Sequence, residues 1–254
     1  MNELARKVAI VTGASAPLGI GNAIAKRFAE AGASLLLVAE ATEEQLQTTA
    51  RECRAFPGAG RVEVALIDLG EPGAPEGMVA KAKASFGRVD VLVNNAGIRS
   101  HVDFGDHTRE WFDRMIAVNL AAPFFASQAV LPIMRQQGGG RIIHIASQLG
   151  HVAYSKRTLY GLTKAALIHL TKSMAYELGR ENIIVNSISP GPIATGPTLE
   201  RDQEVTRKRV EQYVPAGRVG EPDEVANLAF YLASSAPAFL QGEDIVIDGG
   251  YIIH

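Results

Sequence analysis

Cysteine is almost absent from this 254-residue sequence. Cys53 stands alone, so no intramolecular disulfide can form and no thiolate cluster can hold a metal. It sits in a polar, helix-forming segment, and no reactive role is expected of it. A surplus of positive charge is missing as well: the net charge is −2 and the pI about 6.3. Dispersed lysines and arginines offer no stripe for a phosphodiester backbone, which excludes nucleic acid as the expected partner. No apolar stretch reaches the roughly 18 residues of a membrane span. The start, Met1-Asn2-Glu3-Leu4, lacks the basic-then-apolar pattern of a leader, so the expectation is a cytoplasmic protein with no membrane partner. No internal repeat, low-complexity tract or composition break marks a second domain. With 47% hydrophobic and 20% charged residues, residues 1–254 suit one large globular α/β domain.

Short β-rich runs alternate with longer amphipathic ones from end to end, the pattern of repeated βαβ units and a parallel sheet. Strands are expected at 7–12, 34–38, 61–67, 89–93, 141–146, 183–188 and 244–247. Several are apolar throughout, as strands covered by helices on both faces should be. Helices are expected at 20–31, 43–54, 75–86, 108–136, 157–179, 198–213 and 222–234. The Gly138-Gly139-Gly140 run reads as the turn before the fifth strand. The segment from about 191 to 215, opening with Pro192, Gly196 and Pro197, reads as a substrate lid.

The first strand runs into Thr12-Gly13-Ala14-Ser15-Ala16-Pro17-Leu18-Gly19-Ile20-Gly21 and then into a helical pattern. Glycines let backbone approach a pyrophosphate, and a helix start supplies unpaired N–H groups. Gly13, Ser15, Leu18, Gly19, Ile20 and Gly21 are therefore candidate phosphate contacts. Glu40 follows the second strand, where a carboxylate can accept from the adenosine ribose hydroxyls. The loop has no Arg or Lys between Gly13 and Gly21, and none immediately follows Glu40. A 2′-phosphate would meet a carboxylate without an evident cation, which favours NAD over NADP. Asp68-Leu69 after the third strand could place a carboxylate near the adenine, and Asn94-Asn95-Ala96-Gly97 after the fourth could line the cofactor wall.

Tyr160 and Lys164 lie four apart, with Ser147 thirteen residues before the tyrosine and Asn119 twenty-eight before the serine. If 160–164 is helical, phenol and ammonium share a face. A phenol titrates near about pH 10, and a neighbouring cation would favour the tyrosinate. Lys164 is the expected source of that correction.

These elements together resemble the short-chain dehydrogenase/reductase family, in its group of roughly 250-residue oxidoreductases. The resemblance spans essentially the whole chain: Thr12-Gly13 with Gly19-Ile20-Gly21, Asn94-Asn95-Ala96-Gly97, Asn119, Ser147, Tyr160-x-x-x-Lys164, Pro190-Gly191 with Thr195, and Asp248-Gly249-Gly250. The five residues between Gly13 and Gly19 exceed the family's usual spacing. The resemblance implies a Rossmann-like doubly wound sheet of about seven parallel strands carrying a nicotinamide cofactor. It implies that Tyr160 passes a proton to or from the substrate oxygen and that Ser147 hydrogen-bonds that oxygen. Lys164 would bind the nicotinamide ribose, Asn119 would hold a water leading to solvent, and Pro190, Gly191, Ile193 and Thr195 would line the nicotinamide site. A secondary alcohol or ketone is the implied substrate, and a homotetramer or homodimer the implied assembly, with Phe124, Phe125, Leu167 and Leu170 on the two long helices concerned. The related enoyl reductases place their lysine further from the tyrosine, which argues against double-bond reduction. A 3-oxoacyl-thioester reductase and a non-catalytic NAD-binding sensor or scaffold remain alternatives.

Arg99 and Arg157 fall where this family approaches its substrate, and two guanidiniums suit a carboxylate. A hydroxy acid, oxo acid or sugar acid is the corresponding expectation, although both could be solvated or subunit contacts. Gln148, His151 and Tyr154 are further pocket candidates. His101, Asp103, Asp106 and His107 could ligate a metal, but they lack a helical frame and hydride transfer needs none, so no metal is expected. His144, on a buried strand, reads as a core histidine.

Overall fold

A computed structural model describes residues 3–196, 208 and 210–253. Its centre is a seven-stranded, all-parallel sheet: β1 Val8–Thr12, β2 Ser34–Ala39, β3 Val62–Leu66, β4 Val91–Asn94, β5 Gly140–Ile145, β6 Ile183–Pro190 and β7 Asp244–Ile247. All seven expected strands are present, shifted at most by two residues at either end. The order β3-β2-β1-β4-β5-β6-β7 reverses between β1 and β4. Chains leaving those two strands diverge and open a crevice at their C-terminal ends.

The helices are α1 Ile20–Glu30, α2 Glu43–Arg54, α3 Ala74–Phe86, α4 Arg109–Ile116, α5 Ala122–Gln136, α6 Thr158–Leu178 and α7 Pro222–Ala233. Side chains alternate along each strand, so β1 gives Ala9 and Val11 to one core and Ile10 to the other. The first core joins Ile24 and Phe28 of α1, Leu46 of α2 and Val225 and Ala229 of α7. The second joins Met78 of α3, Val130 and Met134 of α5 and Leu178 of α6. Cys53 belongs to the first core and is fully buried, rather than lying on a polar surface. Burial pushes its thiol up to about 12, in keeping with an inert side chain.

The single helix expected at 108–136 is instead α4 and α5 joined by a π-helical run, Ala117–Ala121. The sequence supplies a reason. An α-helix would pair the Asn119 carbonyl with the N–H of residue 123, which is proline and has none. The same stretch corrects another expectation, because an 18-residue window within Arg109–Gln136 reaches a mean hydropathy of 1.6. By length and composition it could cross a membrane. Here Ala126, Val130 and Met134 are spent on the core, while Phe124 and Phe125 remain on the outer face. The expected helix at 198–213 and much of the expected lid at 191–215 lie outside the described residues, except that 208 and 210–213 are helical.

Candidate active site

Thr12, at the end of β1, ties the reversal point together. Its hydroxyl accepts from the N–H groups of Asn95 and Ala96, both at 2.9 Å, and donates to the Val93 carbonyl at 3.2 Å. Asn95 reaches back, donating from Nδ2 to the carbonyls of Thr12 and Gly13 at 2.8 and 3.1 Å. The amide expected to line the cofactor wall is thus committed to holding the glycine loop. Asn94 turns into the core instead, with Nδ2 on Ser127 Oγ and His144 Nδ1, each at 3.2 Å.

Inside that frame the glycines are set by contact. Gly13 has φ +67, and a Cβ there would lie 2.8 Å from Asn95 Nδ2; a Cβ on Gly21 would lie 2.3 Å from the Gly13 carbonyl oxygen. α1 begins at Ile20 with Gly19 as its cap and no side chain on the cap hydrogen bonds. Its first N–H groups are therefore left for an anion. The extra residues bulge outward: Leu18 is in the left-handed region at φ 58 and 59% exposed, while Ser15 is partly buried.

Four side chains converge at the C-terminal ends of β4, β5 and β6. Ser147 follows β5 and is hydrogen-bonded to Tyr160 on α6, which lowers the tyrosine pKa against a larger upward push from burial. Lys164, one turn on, is buried; its Nζ lies 5.7 Å from the Tyr160 ring centre and donates to the Ile145 carbonyl at 2.7 Å. Burial draws its pKa down to about 8. Asn119 sits in the π-helical run with its side chain clamped on the Ile98 peptide, Oδ1 accepting from N–H and Nδ2 donating to the carbonyl at 2.8 Å each. Gly97 keeps the centre open, since a Cβ there would stand 3.3 Å from Asn119 Oδ1 and 3.6 Å from Lys164 Nζ.

Two arginines enter the charge balance at Tyr160. The fields that oppose burial come from Arg99 and Arg157, beside the Ser147 hydrogen bond. Arg99 is exposed, whereas Arg157 is buried and donates from Nη1 to the Ser100 carbonyl at 2.5 Å. Lys156, at φ 62, pairs with Asp103 at 3.0 Å and its carbonyl accepts from Val102. These contacts dock the loop carrying Arg99 against the entry to α6, bringing both arginines to the tyrosine.

The far wall is formed after β6 and β7. Gly191 accepts no side chain, because a Cβ would lie 2.6 Å from Asp248 Cα and 2.9 Å from Gln148 Oε1. Gln148 Oε1 is buried without a hydrogen-bond partner. Pro190 ends β6, Ile193 is buried in a bridge to Gly220, and Thr195 follows at the edge of the described residues. Asp248 caps its own turn through Gly250 and Ile252 N–H groups. Tyr154 is half-buried before α6, while His151 points to Asp244 at 2.6 Å and so leaves the pocket set. Among the described residues, no group of three His, Cys, Asp or Glu side chains is placed to hold a metal.

At the other end of the crevice the structure overturns the reasoning about cations. Arg114 of α4, remote in sequence, pairs with Glu40 at 2.7 Å and Asp68 at 2.8 Å. No local sequence signal connects residues 74 positions apart. Leu69, beside Asp68, packs into the core with α3 and α5.

The residues fit a dinucleotide: a glycine cradle that a Cβ would fill, a helix start with unspent donors, and carboxylates at the ribose end. A family model described as "Enoyl-(Acyl carrier protein) reductase" matches residues 13–252. The 3-oxoacyl-[acyl-carrier-protein] reductase of Thermotoga maritima is 36% identical over 251 residues, covering 99% of this chain and 100% of that one. A 3alpha-hydroxysteroid dehydrogenase of Mediterraneibacter gnavus is 36% identical over 246 residues, covering 97% of each. A solved structure from Beutenbergia cavernae, provisionally described as an NAD(P)-dependent gluconate 5-dehydrogenase with NADP at low occupancy, superposes with a TM-score of 0.90 at 32% identity. That superposition covers 99% of this chain and 98% of the other.

Proposed function

The chain belongs to the short-chain dehydrogenase/reductase family, and on that premise we propose an NAD-preferring enzyme that interconverts a hydroxy acid, such as a sugar acid, with its oxo acid. The observation that carries this reading is Tyr160 hydrogen-bonded to Ser147 with two guanidiniums, Arg99 and Arg157, near enough to act on it. A bound nicotinamide dinucleotide supplies or accepts the hydride. The residues of this chain then orient one carbon, stabilise charge on its oxygen and move one proton.

Ser147 and Tyr160 hold the substrate oxygen with two hydrogen bonds that strengthen as negative charge develops there. Tyr160 gives its proton in reduction and takes one in oxidation. Lys164, with Nζ free to pivot between the Ile145 carbonyl and a ribose hydroxyl, refills the tyrosine. The Asn119 side chain is occupied by Ile98, so its backbone carbonyl, denied an α-helical donor by Pro123, is the place for a water leading outward. Arg157, steadied by Ser100, and solvent-exposed Arg99 clamp the carboxylate. The tyrosine–lysine spacing supports carbonyl chemistry over double-bond reduction.

NAD preference rests on Glu40, whose carboxylate suits a ribose diol and repels a 2′-phosphate. A homodimer or homotetramer built on the outer faces of α5 and α6, where Phe124, Phe125 and Leu162 are exposed, completes the proposal; sedimentation as a monomer would remove that part. Cytoplasmic location belongs to the same reading.

The test is a spectrophotometric screen of reduced cofactor, with both dinucleotides, over hydroxy acids, sugar acids, polyols, steroids and 3-oxoacyl thioesters. Acids are expected to turn over best. Arg99→Gln should raise KM for the acid by about tenfold, one charge-assisted hydrogen bond, and leave neutral alcohols unchanged. Tyr160→Phe should lose about 10²-fold or more in kcat while binding cofactor normally. Neutral polyols outperforming their acids, with Arg99→Gln silent, overturns the substrate class; near-normal turnover in Tyr160→Phe overturns the chemistry.

A further inference from the structure

Arg114 has no part in the chemistry above, yet it occupies the ribose end of the crevice. Glu40 follows β2 directly and Asp68 follows β3 by two residues, on neighbouring strand ends held in register by Ala39 and Leu66. Arg114 crosses to them from α4. Nη1 meets Asp68 Oδ1 at 2.8 Å and Nη2 meets Glu40 Oε2 at 2.7 Å, so one guanidinium is shared by two carboxylates. Gly70 makes the approach possible, because a Cβ there would stand 2.2 Å from Nη1.

The two bonds are unequal. Asp68 Oδ1 also accepts the Gly70 N–H at 2.8 Å, and the Arg114 guanidinium holds its carboxyl below the usual range. Side-chain exposure is 28% for Arg114, 27% for Asp68 and 61% for Glu40. Asp68 and Gly70 therefore anchor the arginine, while Glu40 is the solvent-side partner that can be exchanged. The trio carries a net charge of −1, favouring a neutral diol over a phosphate dianion. Remove the Glu40 charge and the trio becomes neutral, with an anchored Nη2 exposed where the carboxylate had been. A guanidinium so placed is a ready phosphate ligand.

We infer that cofactor choice is set by the Glu40–Arg114 pair rather than by Glu40 alone. Arg114 orients Glu40 toward the ribose hydroxyls, and it is the latent 2′-phosphate cation that Glu40 keeps occupied. This rests on the reading of the crevice as a nicotinamide dinucleotide site with Glu40 at the adenosine ribose.

Calorimetric titration of the full chain with NAD and with NADP, without turnover, tests it. Wild type is expected to favour NAD. Arg114→Gln should weaken NAD binding several-fold through loss of Glu40 orientation. Glu40→Gln should tighten NADP binding by about tenfold, one charge-assisted hydrogen bond. Adding Arg114→Gln to Glu40→Gln should abolish that gain, and adding Arg114→Lys should retain part of it. A double variant that binds NADP as tightly as Glu40→Gln overturns the proposal while leaving the cofactor site intact, as does Glu40→Gln with no gain. Wild type binding neither dinucleotide overturns the cofactor reading itself, and this inference with it.

Discussion

Burial holds His144, Lys164 and Tyr160 toward their uncharged forms, and the consequences can be measured. His144 is fully buried on β5, accepts at Nδ1 from Asn94, and has Nε2 without a partner. Its pKa falls from 6.5 to about 3, by burial first and by Lys164 second. The folded state refuses a proton that the unfolded chain accepts, so this contribution is present above 6.5 and is lost as pH falls toward 3. Urea denaturation should show stability falling by up to about 1.4 kcal/mol per pH unit between about pH 6.5 and 5, before carboxylates titrate. In His144→Gln that slope should flatten, whatever the variant's absolute stability. An unchanged slope would place the titration elsewhere. His144 as a core residue was legible in its apolar strand. The arginine field on Tyr160 was only half legible, because Arg99 and Arg157 are visible in the sequence but the loop docking that brings them to the phenol, with Arg157 on the Ser100 carbonyl, is not.

At the scale of the element, two helical glycines make the same substitution come out with opposite signs. Gly77 lies in α3 with nothing within 4 Å of a Cβ, and Gly21 lies in α1 with the Gly13 carbonyl 2.3 Å away. Gly77→Ala should stabilise by about 0.5–1 kcal/mol through helix propensity and unfolded-state entropy. Gly21→Ala should destabilise by about 1–3 kcal/mol through overpacking and weaken dinucleotide binding by displacing the loop. Thermal and urea unfolding of the two variants distinguish these outcomes, and equal effects would refute the close packing of loop on helix. Periodicity identified both helices. It could not tell a free glycine face from a contacted one, nor show that Pro123 splits the long helix at Asn119, although the proline itself was in plain view.

Across the whole molecule the crevice lies at the reversal between β1 and β4, so an occupant bridges loops belonging to both halves of the sheet. A dinucleotide that binds only the folded chain stabilises it by mass action, by about 2.7 kcal/mol at a hundred times Kd. Tm should therefore rise with dinucleotide concentration, equally in wild type and in Tyr160→Phe, by differential scanning fluorimetry. No shift in either would argue against the crevice as the dinucleotide site. The sequence by itself determined the alternation of seven strands with helices and the glycine loop after β1, and it singled out the serine, tyrosine and lysine of the candidate site. Hydrophobic period, turn residues and short spacings are local properties, and they survive being read one segment at a time. Only the tertiary structure decided which charges meet. Arg114 reaches Glu40 and Asp68, Arg157 is buried against Ser100, and Asn95 is spent on the glycine loop, because strand order brings distant loops to one sheet edge and chain distance says nothing about that.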